Sequence, residues 1–285
     1  LEKPAISQLP DWNWKILHLC SSDNNLANIG KTMETSIAFW IAAIFASIFV
    51  GLGKGGLPVV AALAVPSLSL FMSPIAAAGL LLPVYIVSDM FALVAYRKEY
   101  DARVLKIAFF GMTLGVLLGG LTAHLILEWL ITFLIGLMGT VFALRMLMTR
   151  PKDDLNTTVP ARYGTGLFWT TIAGFTSFIS HNGGPPWQIF TLPLNLPKSV
   201  FVGTSVIIFS YVNFIKLFPY ILLGQVTFTS VKTSLYLLVP AAIAVYVGVG
   251  AVKVIPEKMF FKIVTWALLL ISLKLIWDGL SEGLS

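Results

Sequence analysis

The stretch Gly51-Leu52-Gly53-Lys54-Gly55-Gly56-Leu57-Pro58 interrupts two long apolar runs with four glycines, a lysine and a proline. Backbone of this irregularity cannot face hydrocarbon, where no water satisfies its N–H and C=O groups; it must lie inside protein or line a cavity. Glycine opens backbone conformations closed to other residues, and Pro58 suits the first position of a new helix. The segment is therefore a predicted helix break and restart. The first N–H groups of a restarted helix point outward unpaired and carry the positive end of its dipole, which is an arrangement suited to an anion. Lys54 adds a full positive charge. The pattern returns at His181-Asn182-Gly183-Gly184-Pro185-Pro186, again between apolar runs.

The surrounding chain says which solvent these breaks occupy. Hydrophobic residues make up 57% of the sequence and charged residues 11%, and mean hydropathy is +0.87 over 285 residues. That composition excludes a soluble domain and predicts an all-α polytopic membrane protein. The net charge of +6 would suggest nucleic acid in a soluble protein. Here most of the basic residues fall in short connections between apolar runs, the pattern of positive-inside topology, and no nucleic-acid partner is expected. Cys20 is the single cysteine, which rules out an intrachain disulfide or a thiolate metal cluster. Neither a cofactor nor a metal is expected.

Residues 1–33 are comparatively polar, with Trp12, Trp14, Ile16, Leu17 and Leu19 around Lys15 and His18. They are set apart as an N-terminal polar or interfacial segment, fitted by a short helix at the membrane surface. A first transmembrane repeat then occupies 34–150, an inter-repeat linker rich in Pro and Asp occupies 151–162, and a second repeat follows at 163–285. Within the halves, Gly55-Gly56 aligns with Gly183-Gly184, Gly79 with Gly203, Asp89 with Asn213, and Gly119 with Gly248. Each half has about five apolar segments, and an odd number forces the second to enter the membrane inverted. Basic connections at 97–106, 145–162 and 253–262 then share one, cytoplasmic, side; Lys216 and Lys232 fall on the other. The run 186–196, about 11 residues, is short of the roughly 20 needed to span. It is a predicted half-helix, and the two glycine-broken or re-entrant tips are expected to meet near the midplane.

Several side chains could carry function at that depth. A lysine inside an apolar stretch costs about 2.5–3.5 kcal/mol on insertion scales, so Lys54 needs compensation: a substrate anion, Asp89 in a buried ion pair, or a tip that reaches water. Asp89, mid-way along its segment, either forms that pair or exchanges a coupling proton, with Asn213 as its neutral counterpart. His181 and Asn182 can donate hydrogen bonds to an anion, although Asn182 also suits a helix cap. Tyr85, Ser88, Gln188, Thr204 and Ser205 are further polar groups near the expected centre, where Ser and Thr often bond their own backbone. Pro83 and Pro240 are expected inside helices, Gly115 and Gly119 at close helix contacts, and Trp129, Trp266 and Trp277 at membrane interfaces. An enzyme is not expected: the three histidines are His18, His124 and His181, and neither G-x-S-x-G nor H-E-x-x-H occurs.

The two glycine breaks, the stretches 74–79 and 197–204, the basic turn Arg97-Lys98-Glu99-Tyr100-Asp101-Ala102-Arg103 and the turn Gly224-Gln225-Val226 together resemble the sulfite exporter TauE/SafE family over about residues 35–280. The resemblance implies transport of small anions, notably sulfite and organosulfonates, as export across the bacterial inner membrane by a multi-pass protein. Lys54, Asn182 and Pro185 depart from the family's usual residues at the breaks. The expectation is thus a secondary transporter working by alternating access, coupled to protons through Asp89. Its anion site would comprise Gly53, Lys54, Gly55, Gly56, Leu57, His181, Asn182, Gly183, Gly184, Thr204 and Ser205. A passive anion channel and a non-transporting membrane scaffold subunit are the alternatives, and the sequence leaves oligomeric state open.

Overall fold

A computed structural model of the chain describes residues 37–61, 63–69, 71–72, 74–122, 128–148, 158–222, 224 and 226–284. The polar segment 1–33, most of the linker and His124 lie outside them. The described residues divide between Ala42 and Ala43 into two units, and all packing below lies within the second.

Helix is the only regular structure among the described residues. In order these are α1 (Ile37–Lys54), α2 (Pro58–Ala61), α3 (Ala64–Ser69), α4 (Pro74–Tyr96), α5 (Ala102–Thr122) and α6 (Glu128–Met148). They continue as α7 (Tyr163–Ser180), α8 (Gly184–Thr191) with a 3-10 turn at Leu192–Leu194, α9 (Lys198–Leu222), α10 (Phe228–Val254) and α11 (Glu257–Leu284). Six of them, α1, α4, α5, α9, α10 and α11, contain a stretch long and apolar enough to cross a membrane. Their outward residues agree with that solvent, since Phe110, Leu121, Phe218, Tyr236, Val239 and Trp277 are all exposed. Trp129 is used otherwise, lying over Gly279 and Gly283 of α11.

The order of elements recurs. A helix, a glycine-containing break, short helical pieces and three long helices fill 37–148, and the same series fills 163–284. Glycines set the contacts between helices, because a Cβ at each would strike the neighbouring helix. Gly111 and Gly115 of α5 meet Thr170 and Thr171–Phe175 of α7, while Gly51 and Gly55 of α1 meet Ala241 and Val245–Gly248 of α10. Both pairs run parallel. By contrast α6 and α11 run antiparallel, with Gly136 against Ser272 and Ile276, and Gly279 against Trp129 and Phe133. Helices α4 and α9 are antiparallel too, joined at Glu99–Ser199, Asp101–Thr204 and Asp89–Asn213. Exchanging the two halves leaves this pattern of partners unchanged.

Three connections meet at one end of this assembly. Asp101 caps α5 by accepting from Val104 N–H at 2.8 Å, and its own N–H donates to Thr204 Oγ1 at 2.9 Å. Glu99 Oε2 accepts from Ser199 Oγ at 3.0 Å. Glu257 Oε1 accepts from Lys198 N–H at 2.7 Å. The Lys198 ammonium donates to Val252 O and Ile255 O, neutralising the negative end of α10.

Candidate functional site

The first glycine break is a helix stop of a particular kind. Gly56 has φ +115°, a conformation only glycine adopts without strain. Its N–H donates to Gly53 O at 3.2 Å and the N–H of Leu57 to Leu52 O at 3.1 Å, the paired bonds of a Schellman cap. Gly55 N–H donates to Gly51 O at 2.8 Å. The expected display of free N–H groups at this break is therefore absent at 55–57, because those donors close the end of their own helix. Helix α2, four residues long, begins beyond it.

The second break places His181 in the left-handed region at φ 56°, and its N–H donates to Thr176 O. Helix α8 then starts at Gly184 with prolines at its next two positions, which removes two backbone donors from its first turn. Side chains, more than backbone, equip this break for an anion.

Those side chains converge between α1, α4, α7, α8, α9 and α11, around a cavity of about 120 Å³. A single water needs about 10–15 Å³ on a comparable measure, so a small anion fits. One end is polar. Lys54, only 7% exposed, places Nζ 2.6 Å from Asp89 Oδ1 and 5.3 Å from the centroid of the Tyr85 ring. Asn213 Nδ2 donates to Asp89 Oδ2 at 2.8 Å, while Oδ1 has the ion pair with Lys54 and no hydrogen bond. Beside them lies Lys216, fully buried, whose ammonium donates to Ser177 O at 2.9 Å and Ser177 Oγ at 3.1 Å. His181 stacks near Tyr85 and Tyr220, with ring centroids 5.6 Å and 5.8 Å away, and its Nδ1 is 3.4 Å from Tyr220 Oη. Five buried side-chain atoms among the described residues have no hydrogen-bond partner: Asp89 Oδ1, His181 Nε2 and Gln188 Oε1 here, and Thr140 Oγ1 and Ser272 Oγ elsewhere. The other end is apolar, formed by Trp187, Phe201, Val202, Val206, Phe209, Leu268 and Ile271. Trp187 is fixed by its Nε1–H donating to Ser205 Oγ at 2.8 Å.

Of the residues singled out from sequence, Gly53, Lys54, Gly56, His181, Asn182, Gly184, Ser205 and Asn213 line this cavity, with Asp89 directly behind Lys54. Gly55 instead packs on Val245 and Gly248, and Gly183 on Ala173 and Ser177. Leu57 packs beside the core, and Thr204 holds the α4–α5 connection. Sequence reasoning missed Lys216, Ser177 and Trp187. The signal for Lys216 was its spacing: Asn213, Lys216 and Tyr220 recur at helical intervals on one face of α9.

Two lysines and one carboxylate meet here, so with both amines protonated the site carries one positive charge that an anion would neutralise. The family model for the sulfite exporter TauE/SafE matches residues 36–275. No curated protein and no solved structure gives a significant match.

Proposed function

The chain belongs to the sulfite exporter TauE/SafE family, and on that premise we propose that it is a secondary transporter, exporting a small sulfur-containing anion, sulfite or an organosulfonate, by alternating access. The observation that carries this reading is the cavity at which two buried lysines, Lys54 and Lys216, meet one carboxylate, Asp89. Buried polar atoms are as a rule hydrogen-bonded, and of the five exceptions among the described residues, Asp89 Oδ1, His181 Nε2 and Gln188 Oε1 lie at or beside this cavity.

In this reading the halves 34–150 and 163–285 are inverted repeats joined by the linker 151–162. The antiparallel packing of α4 on α9 and of α6 on α11 supports it, since a two-fold axis lying in the membrane plane reverses each helix relative to its counterpart. The two breaks, one from each half, bound the same cavity, and rocking of one set of helices against the other would open it to alternate sides. Asp89 is the proposed proton carrier: protonation would break its pair with Lys54, and deprotonation on the other side would restore it. The protein would sit in the bacterial inner membrane.

The test is uptake of sulfite into proteoliposomes under an imposed pH gradient. The expected result is saturable uptake above that of protein-free vesicles, at least tenfold lower in Lys54→Ala, and uncoupled from the pH gradient in Asp89→Asn. Uptake indifferent to both substitutions would remove the cavity from the transport path.

A further inference from the structure

The two lysines of the cavity differ in what already neutralises them. Lys54 is committed, with Asp89 at 2.6 Å and that carboxylate held from its far side by Asn213. Lys216 has neutral acceptors only: the carbonyl and hydroxyl of Ser177. Among the described residues no carboxylate lies within ion-pairing distance of it. An ammonium has three N–H donors, and Ser177 engages two. Lys216 also lines the cavity, as do His181 and Gln188, whose Nε2 and Oε1 are buried without partners.

We propose that Lys216, and not Lys54, supplies the charge that holds the anion, and that the site selects monovalent over divalent anions. The inference rests on the anion-transport reading and narrows it. With the Lys54–Asp89 pair intact the site carries one surplus positive charge, so one negative charge completes it. A second negative charge would stand uncompensated in the protein interior, where desolvation is costly. The apolar part of the lining reinforces the choice, because Trp187, Phe209 and Val206 offer no donor to a further oxyanion oxygen, the Trp187 N–H being already given to Ser205. The anion's head therefore faces Lys216 and His181, and an uncharged or apolar remainder faces Trp187 and Phe209. Lys54 acts as the counter-charge that keeps Asp89 ionised and the site at a single surplus charge.

Methanesulfonate and sulfate test this directly, because they share size and tetrahedral shape and differ by one charge at neutral pH. Their dissociation constants would be measured by calorimetry on the purified full chain in lipid nanodiscs. Methanesulfonate is expected to bind at least tenfold more tightly than sulfate, and Lys216→Gln to weaken methanesulfonate at least tenfold. Lys54→Gln/Asp89→Asn, which removes the committed pair together, is expected to weaken methanesulfonate less than Lys216→Gln does. Sulfate binding as tightly as methanesulfonate, or Lys216→Gln binding like the parent, would overturn the proposal and leave an anion site in place. Binding of neither anion by the parent would instead remove the anion-transport reading itself. The comparison of the two anions needs no variant, so it decides even where Lys216→Gln does not fold.

Discussion

At Lys54 the energetic question is what happens when one partner of a buried pair is lost. A buried ion pair contributes little net stability, whereas a charge stranded by removal of its partner costs about 3–5 kcal/mol. Lys54→Met strands Asp89, which keeps only the Asn213 amide. We expect it to lower unfolding free energy in detergent by about that amount, with most of the loss regained in Lys54→Met/Asp89→Asn, where no charge is stranded; equal destabilisation of single and double variants would contradict the pairing. The pair itself was legible in sequence as one of three options for Lys54, because a lysine and an aspartate inside apolar runs each demand compensation. Lys216 was not. It lies six residues before the end of α9, near Pro219 and Gly224, and a basic residue close to a turn reads as a loop charge on the wrong side of the membrane. Whether such a side chain reaches for water or turns inward depends on the helix packed over it, here the α7 end bearing Ser177. Sequence spacing cannot supply that neighbour.

At the scale of elements, glycine does two separate jobs that one letter does not distinguish. Gly56 ends α1 by its conformation, while Gly115 serves by its lack of a side chain, since a Cβ there would strike Thr171 O. Gly250 does neither, with nothing within 4 Å of a Cβ built on it. Gly115→Ala is accordingly expected to destabilise by about 1–3 kcal/mol, and Gly250→Ala to be neutral or stabilising by up to about 1 kcal/mol. Thermal unfolding of the two variants beside the parent checks this, and similar shifts in both would sink the distinction. The breaks and the half-helix were legible because Gly-Gly and Pro disrupt an apolar run whatever surrounds them. Their hydrogen bonding was not, because the same glycines fit a display of free donors or a closed cap.

For the whole molecule, the basic connections supply the topology test. Residues 97–101, 198–199 and 255–257 are tied together by Glu99–Ser199 and Lys198–Glu257, whereas Gly224 follows the far end of α9, about 35 Å away at 1.5 Å per residue. On a Cys20→Ser background, Lys98→Cys and Lys258→Cys are expected to be labelled by an impermeant thiol reagent from the cytoplasmic face and Gly224→Cys from the opposite one. Labelling of all three from one face would contradict a spanning α9. The central claim, a cavity that opens alternately to the two sides, is tested most directly by counterflow. Proteoliposomes loaded with unlabelled sulfite are diluted into trace radiolabelled sulfite. Alternating access predicts that label accumulates transiently above its equilibrium level and that Lys216→Gln abolishes the overshoot. Label that rises monotonically to equilibrium, as through an open pore, would contradict the account.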